Sequence, residues 1–162
     1  MADAIQGYRT ATNADAALDR LAAERLGIGD TDLHCINIVE SHGGLTAGRL
    51  AAEAGLTTGA VTGVIDRLER AGYARRVPDA HDRRKVNVEV TEAFYARAGE
   101  VWGPIADDWQ RTLAKRFSAA ELEAAVAFLA EVHAITERHA TRVRALRPRV
   151  RATGAAGPRR AG

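Results

Sequence analysis

A group of hydroxyl side chains and arginines lies close together in the sequence and has the chemistry to bind a nucleic acid. Thr57, Thr58 and Thr62 share one short segment, with Arg49 before them and Arg67 after them. Threonine offers a hydroxyl and a methyl group, which match the groups that base pairs expose in a DNA major groove. Arginine pairs with phosphate. The set predicts contact with duplex DNA; the alternative is a solvent-exposed helix face rich in small residues.

Two short helices are predicted to position these side chains. Thr46 precedes a run of helix formers that ends at Gly55, and Thr57 precedes a second helix predicted over Thr58–Ala71. Threonine caps a helix N-terminus, and glycine ends a helix in the left-handed conformation. Apolar residues at helical spacing predict a buried face on the second helix: Val61, Val64, Ile65 and Leu68. The pattern is that of a helix-turn-helix, whose second helix enters the major groove.

A β-hairpin with a basic tip is predicted directly after the second helix. Residues 74–77 and 85–90 have strand-like sequences, and the second run alternates valine with polar residues. The tip between them contains Asp82, Arg83 and Arg84. Arginine on a protruding loop can enter a minor groove, and Asp82 is placed to hold Arg84 in position. Alone, this tip is typical of a solvated turn; after a helix-turn-helix, it predicts a DNA-contacting wing.

The chain resembles the winged helix of the MarR family of bacterial transcriptional regulators over two consecutive runs, LTAGRLAAEAGLTTGAVTGVIDRLERAGY and RRVPDAHDRRKVNVEVT. The resemblance covers Leu45–Thr91 closely and extends to the order and length of the flanking helices. It departs at Gly63, where many members carry a large polar or basic side chain. It implies a regulator, most often a repressor, whose first and last helices form a dimer. The resemblance also implies that a small ligand, bound between the dimer helices and the winged helix, alters the DNA affinity.

We expect a mainly α fold with a small β-hairpin wing. A single domain is predicted over residues 1–146, with N-terminal helices, a winged helix-turn-helix and C-terminal dimerisation helices over 1–44, 45–91 and 92–146. Pro104 lies inside the predicted helix after the wing, so that segment is either one bent helix or two. Residues 147–162 have the composition of a disordered tail.

The terminal helices carry more apolar surface than one winged helix can cover, which predicts a homodimer. Its recognition helices would occupy successive major grooves of a pseudo-palindromic site, ~34 Å apart. His34 and Asn37 lie on the helix that lines the family's ligand cleft, and Trp102 is a candidate aromatic wall. They suggest a small aromatic or phenolic effector, although a core or dimer-interface role is more usual for such a tryptophan.

Composition excludes several other classes of protein. The 162 residues include one cysteine, which rules out an internal disulfide and fits a reducing cytoplasm. Cys35 is expected to be a buried structural thiol, with an oxidant sensor as the alternative. No apolar run approaches the ~20 residues of a membrane-spanning helix. No catalytic fingerprint or metal-ligand spacing is present, so we expect neither an enzyme, a cofactor nor a metal site.

The sequence therefore predicts a cytoplasmic, sequence-specific regulator that binds double-stranded DNA, a repressor released by a small ligand. Two alternatives stay open. One is a winged-helix module that uses the same surface to bind a protein. The other is a cysteine-based redox-sensing regulator.

Overall fold

The structure is a computed structural model that describes residues 1–79 and 85–146. Helices and strands follow one another along the chain as α1 (Ala2–Leu26), α2 (Asp30–Ser41), β1 (Leu45–Thr46), α3 (Ala47–Ala54), α4 (Thr58–Arg70), β2 (Ala74–Pro78), β3 (Val86–Val90), α5 (Glu92–Arg116) and α6 (Ala119–Arg144). The predicted mainly α fold with a small antiparallel sheet is confirmed. Residue contacts divide the chain into two compact units, and the division falls within α5, after Gln110. The predicted tail, 147–162, lies outside the described residues.

The two helices of the helix-turn-helix begin at the threonine caps that the sequence predicted. The hydroxyl oxygen of Thr46 accepts a hydrogen bond from the backbone N–H of Arg49 at 3.3 Å, and that of Thr57 accepts one from Ala60 at 3.2 Å. Gly55 ends α3 with a φ of 68°, where a residue with a Cβ would be strained. These caps set the bounds of α3 and the start of α4.

The wing is a three-stranded sheet with strand order β1-β3-β2, and both pairings are antiparallel. The predicted hairpin is confirmed with shifted ends, because Pro78 pairs with Val86 at the last described rung of the ladder. Strand β1 was not predicted. It holds only Leu45 and Thr46, which pair with Val88 and Asn87, and two residues are too few to show the alternation that marks a strand.

The core of the first unit joins α1–α4 to the sheet and to the start of α5. Phe94 packs against Tyr73 with ring centroids 5.7 Å apart and an interplanar angle of 69°, a favourable edge-to-face geometry. The Tyr73 hydroxyl donates a hydrogen bond to the Leu26 carbonyl at 3.0 Å. The largest fully buried side chains are Phe94, Leu33, Ile36, Leu50, Ile65, Leu68, Val39, Val61, Val64, Val88 and Cys35.

The long helices α1, α5 and α6 are each continuous. Helix α1 runs from Ala2 to Leu26. Helix α5 continues through Pro104 as one helix, which settles the choice between one helix and two. Helix α6 begins with a capping box, in which Ser118 and Glu121 exchange side-chain and backbone hydrogen bonds.

The backbone at Gly44, directly before β1, has a φ of +113°. A Cβ there would lie 3.2 Å from Glu89 Cγ and 3.4 Å from the Val88 carbonyl oxygen. We expect Gly44→Ala to lower the free energy of unfolding by about 1–3 kcal/mol, through backbone strain. Urea denaturation at fixed protein concentration measures this change.

Gly48 provides the matched control, because it lies in α3 and a Cβ there meets nothing within 4 Å. Gly48→Ala should raise stability by up to about 1 kcal/mol through helix propensity. Equal stability of Gly44→Ala and wild type would contradict the strain assigned to the turn before β1.

Candidate nucleic-acid interface

The N-terminal half of α4 presents its threonines to solvent. Thr57, Thr58 and Thr62 are all exposed, whereas the opposite face of the helix is buried through Val61, Val64, Ile65 and Leu68. The Thr62 hydroxyl donates to the Thr58 carbonyl at 3.0 Å. This bond uses the hydroxyl proton of Thr62 and leaves the hydroxyl oxygen able to accept a further hydrogen bond.

An ion pair between a buried carboxylate and a half-exposed guanidinium joins α4 to α2. Arg67 donates from Nε to both carboxylate oxygens of Asp32, at 3.1 and 2.9 Å, and from Nη2 to Oδ1 at 2.6 Å. The side chain of Asp32 is 4% exposed and that of Arg67 is 47% exposed. Hydrogen bonding to Asp32 raises the pKa of the Arg67 guanidinium. The pair fixes the C-terminal half of α4, which follows the threonines, against α2.

Asp32 was not identified from the sequence, because its partner lies 35 residues away. The sequence predicted that Arg67 touches the DNA backbone. In the structure two of its nitrogens already bind Asp32. The phosphate contact of Arg67 stays a prediction.

A second set of charge-assisted hydrogen bonds joins α4 to the base of the wing. Arg76, on β2, donates from Nη2 to Asp66 Oδ1 at 2.7 Å and from Nη1 to Glu69, while its backbone N–H donates to Glu69 Oε1 at 3.0 Å. The hydrogen bond to Asp66 is the main reason that the pKa of Arg76 is raised. These contacts were also missed, although Asp66 and Glu69 are three apart and therefore share one side of a helix.

The remaining predicted contact residues lie beside α4 or beyond the described part of the chain. Arg49 is exposed on α3 and pairs with Glu53 at 3.0 Å. Thr46 is half-buried and caps α3. At the wing, the backbone N–H of Asp79 donates to the carbonyl of Lys85 at 3.0 Å. Between those two residues, Asp82, Arg83 and Arg84 lie outside the described residues.

Comparison with known proteins identifies the family. Residues 26–85 match a sequence model described as the MarR family. An uncharacterized HTH-type transcriptional regulator of Bacillus subtilis, YcgE, is 32% identical over 141 residues, which cover 87% of this chain and 91% of the relative. The chain belongs to the MarR family. Membership identifies a transcriptional regulator rather than an enzyme.

Solved structures share the MarR-family fold. A mutant of S. aureus MepR from a multidrug-resistant clinical isolate superposes with a TM-score of 0.66 at 24% identity, covering 80% of this chain and 94% of that one. Another MepR mutant, solved bound to an oligodeoxyribonucleotide, gives a TM-score of 0.53 at 24% identity with the same coverage.

The ligand-binding candidates line two neighbouring cavities of the first unit. Asn37 and Trp102 line a cavity of about 440 Å³ between α1, α2 and α5. His34 lines a smaller one of about 260 Å³, which also includes Asn37. The structure thus brings Asn37 and Trp102 together and places His34 beside them. Whether they bind a ligand stays a prediction.

Cys35 is fully buried, as predicted. Burial, and then the charge of Asp32, raises the pKa of its thiol, which opposes formation of the reactive thiolate. Among residues 1–79 and 85–146, no group of three or more His, Cys, Asp or Glu side chains is placed to hold a metal ion. Within the same residues, no helix combines the length and apolarity needed to cross a membrane.

The Asp32–Arg67 pair makes an asymmetric prediction for stability. Arg67→Met removes the cation from the buried Asp32 carboxylate and leaves it only the backbone N–H of Gly29, at 3.4 Å. We therefore expect a loss of about 3 kcal/mol in the free energy of unfolding, the lower end of the range for a broken buried pair. Asp32→Asn leaves Arg67, whose half-exposed guanidinium can reach water, and should cost only about 1–2 kcal/mol. Denaturant unfolding of both variants and of the double variant measures the difference.

Arg49→Met is the matched control, because it removes an exposed arginine from an i,i+4 pair and should change stability by less than about 1 kcal/mol. If Asp32→Asn cost as much as Arg67→Met, the burial of a carboxylate without its cation would not be the main cause of the loss.

Proposed function

We propose that this regulator binds double-stranded DNA in a sequence-specific manner and acts in the cytoplasm as a homodimeric repressor, which a small ligand releases from a pseudo-palindromic operator. The observation that carries the proposal is the face of α4. Its threonines are exposed at the N-terminal half, while Asp32 and Arg76 hold the other half of the helix against the protein. A helix held in this way presents hydroxyls and methyl groups at the end that enters a major groove.

Each predicted contact residue has a role in the proposal. Thr57, Thr58 and Thr62 contact base edges or nearby phosphates, and Thr46, Arg49 and Arg67 contact the DNA backbone. Arg83 and Arg84, at the tip of the wing, reach the minor groove, with Asp82 holding Arg84. The family supports these roles, and so does the MepR mutant solved with an oligodeoxyribonucleotide, which shares the fold.

Exposed apolar side chains support the homodimer. Helix α6 exposes Val126, Phe128, Leu129, Ile135 and Val143. In the last turns of α5, Leu113 is also exposed, followed by Phe117 directly after the helix. A second copy of the same helices covers such a surface in an isologous interface, with the two recognition helices on one side of the DNA.

The two alternatives give different observations. A winged-helix module for protein binding would use the face of α4 without the steep salt dependence of phosphate contacts. A redox sensor would need an accessible thiolate, which the buried, high-pKa Cys35 does not provide.

The threonine face predicts a specific loss on removing one hydroxyl. Thr62→Val keeps the shape of the side chain, and we expect it to weaken binding to a duplex selected from a random library by about 1–2 kcal/mol, or five- to thirtyfold. Fluorescence anisotropy at two salt concentrations measures the affinity and its salt dependence.

Thr141→Val is the matched control, since the Thr141 hydroxyl donates to the carbonyl four residues earlier on α6, as Thr62 does on α4. The control should bind like wild type. Equal binding of wild type and Thr62→Val, or no dependence on salt, would contradict DNA recognition by α4.

The dimer interface is tested on α6. Leu129→Glu places a charge in the exposed apolar surface and should convert the dimer to a monomer, with loss of operator affinity of about a hundredfold or more, because one half-site remains. Sedimentation equilibrium measures the state. Ala127→Glu, about 160° away around the helix and on the side of Glu131, should leave the dimer intact. A monomeric wild type would contradict the proposal.

A further inference from the structure

The larger cavity of the first unit combines carboxylates with aromatic rings. Its polar lining consists of Asp19 from α1 and Asn37 and Glu40 from α2. Three aromatic residues of α5 line it as well, namely Phe94, Tyr95 and Trp102, and small residues complete the lining on the same helix. The cavity therefore has an acidic side built by α1 and α2 and an aromatic side built by α5.

No arginine, lysine or histidine is among the described residues that line this cavity. In the same part of the chain, the structure shows no hydrogen bond or ion pair to the side chains of Asp19, Asn37 or Glu40. Burial, and then the charge of Asp15, raises the pKa of Asp19. A partly buried carboxylate without a cationic partner is left with an uncompensated desolvation cost.

The aromatic side supplies the complementary interaction. A cation near the face of a tryptophan, tyrosine or phenylalanine ring is attracted by the ring quadrupole, and the attraction increases when water is displaced. Trp102 and Tyr95 are partly exposed, so their rings are accessible to a ligand, whereas Phe94 is buried. A volume of about 440 Å³ accommodates a small organic molecule.

We infer that this cavity binds an organic cation, an amine or quaternary ammonium group on an apolar body, with the positive charge between the carboxylates of Asp19 and Glu40 and the ring of Trp102. A phenolate or carboxylate ligand would meet two negative charges there. The inference thus narrows the small aromatic or phenolic effector suggested by the sequence to a positively charged ligand. Asp19 and Asn37 also line the smaller cavity, which differs because Arg20 and His34 contribute to its lining.

The inference names the chemical class of the effector of the proposed repressor. Only the ligand's role as an effector rests on the proposed function, because binding of the ligand is measured on the full chain without DNA. Isothermal titration with phenyltrimethylammonium, its neutral isostere tert-butylbenzene and the phenolic anion salicylate separates charge from shape. We expect the cation to bind at least about tenfold more tightly than either of the others.

Variants assign the binding to this cavity. Asp19→Asn and Glu40→Gln, on different helices, should each weaken the binding of phenyltrimethylammonium three- to tenfold, through loss of one charge. Glu24→Gln removes an exposed carboxylate of α1 that lines neither cavity and should leave binding unchanged. Trp102→Leu should weaken binding and remove the fluorescence change on titration, whereas Trp109→Leu should keep both.

Tighter binding of salicylate or tert-butylbenzene, no binding of the cation at millimolar concentration, or equal binding by Asp19→Asn, Glu40→Gln and wild type would each overturn the inference. Operator binding without ligand is measured separately. If it persists while the cation fails to bind, the repressor proposal survives and the cation site is lost. If the cation binds and DNA does not, the site stands and its effector role is lost.

Discussion

The position of the recognition helix depends on one buried carboxylate. Asp32 is almost fully enclosed between α2 and α4, and a charge in that environment is tolerated only with close partners. Arg67 provides three hydrogen bonds to it. Because bidentate pairing has strict geometric requirements, the contact sets both the rotation and the position of α4 relative to α2. The apolar face of α4 also packs against the core, but apolar contacts constrain the orientation of the helix less strictly than the Asp32–Arg67 pair does.

The other contacts of α4 extend this constraint to the wing. Arg76 of β2 binds Asp66 and Glu69, so a shift of the helix would move the base of the hairpin with it. These contacts are exposed, and each adds little stability. Together they hold α4 and the wing at a defined spacing, which the proposed function requires. The N-terminal half of α4 makes no such contact with the described residues, and it is the part left to meet a ligand.

Local chemistry made much of the fold predictable. The caps at Thr46 and Thr57 predicted the starts of α3 and α4 to the residue, because a side-chain cap acts within three positions of its own backbone. Long-range pairing was not predictable. The contact from Asp32 to Arg67 joins separate helices, and β1 is too short for a pattern. The cavity was predicted only in part, through Asn37 on α2 and Trp102 on α5. Its carboxylates, Asp19 and Glu40, were missed because they lie on two different helices and no sequence spacing relates them.

The central claim is that two copies of α4 read neighbouring major grooves of one duplex. Methylation protection of guanine N7 on the selected duplex tests it most directly, since N7 lies in the major groove. Two protected clusters about 10 base pairs apart, related by a two-fold axis, are the result that this account predicts. Protection of a single cluster, or none in the presence of saturating protein, would contradict it.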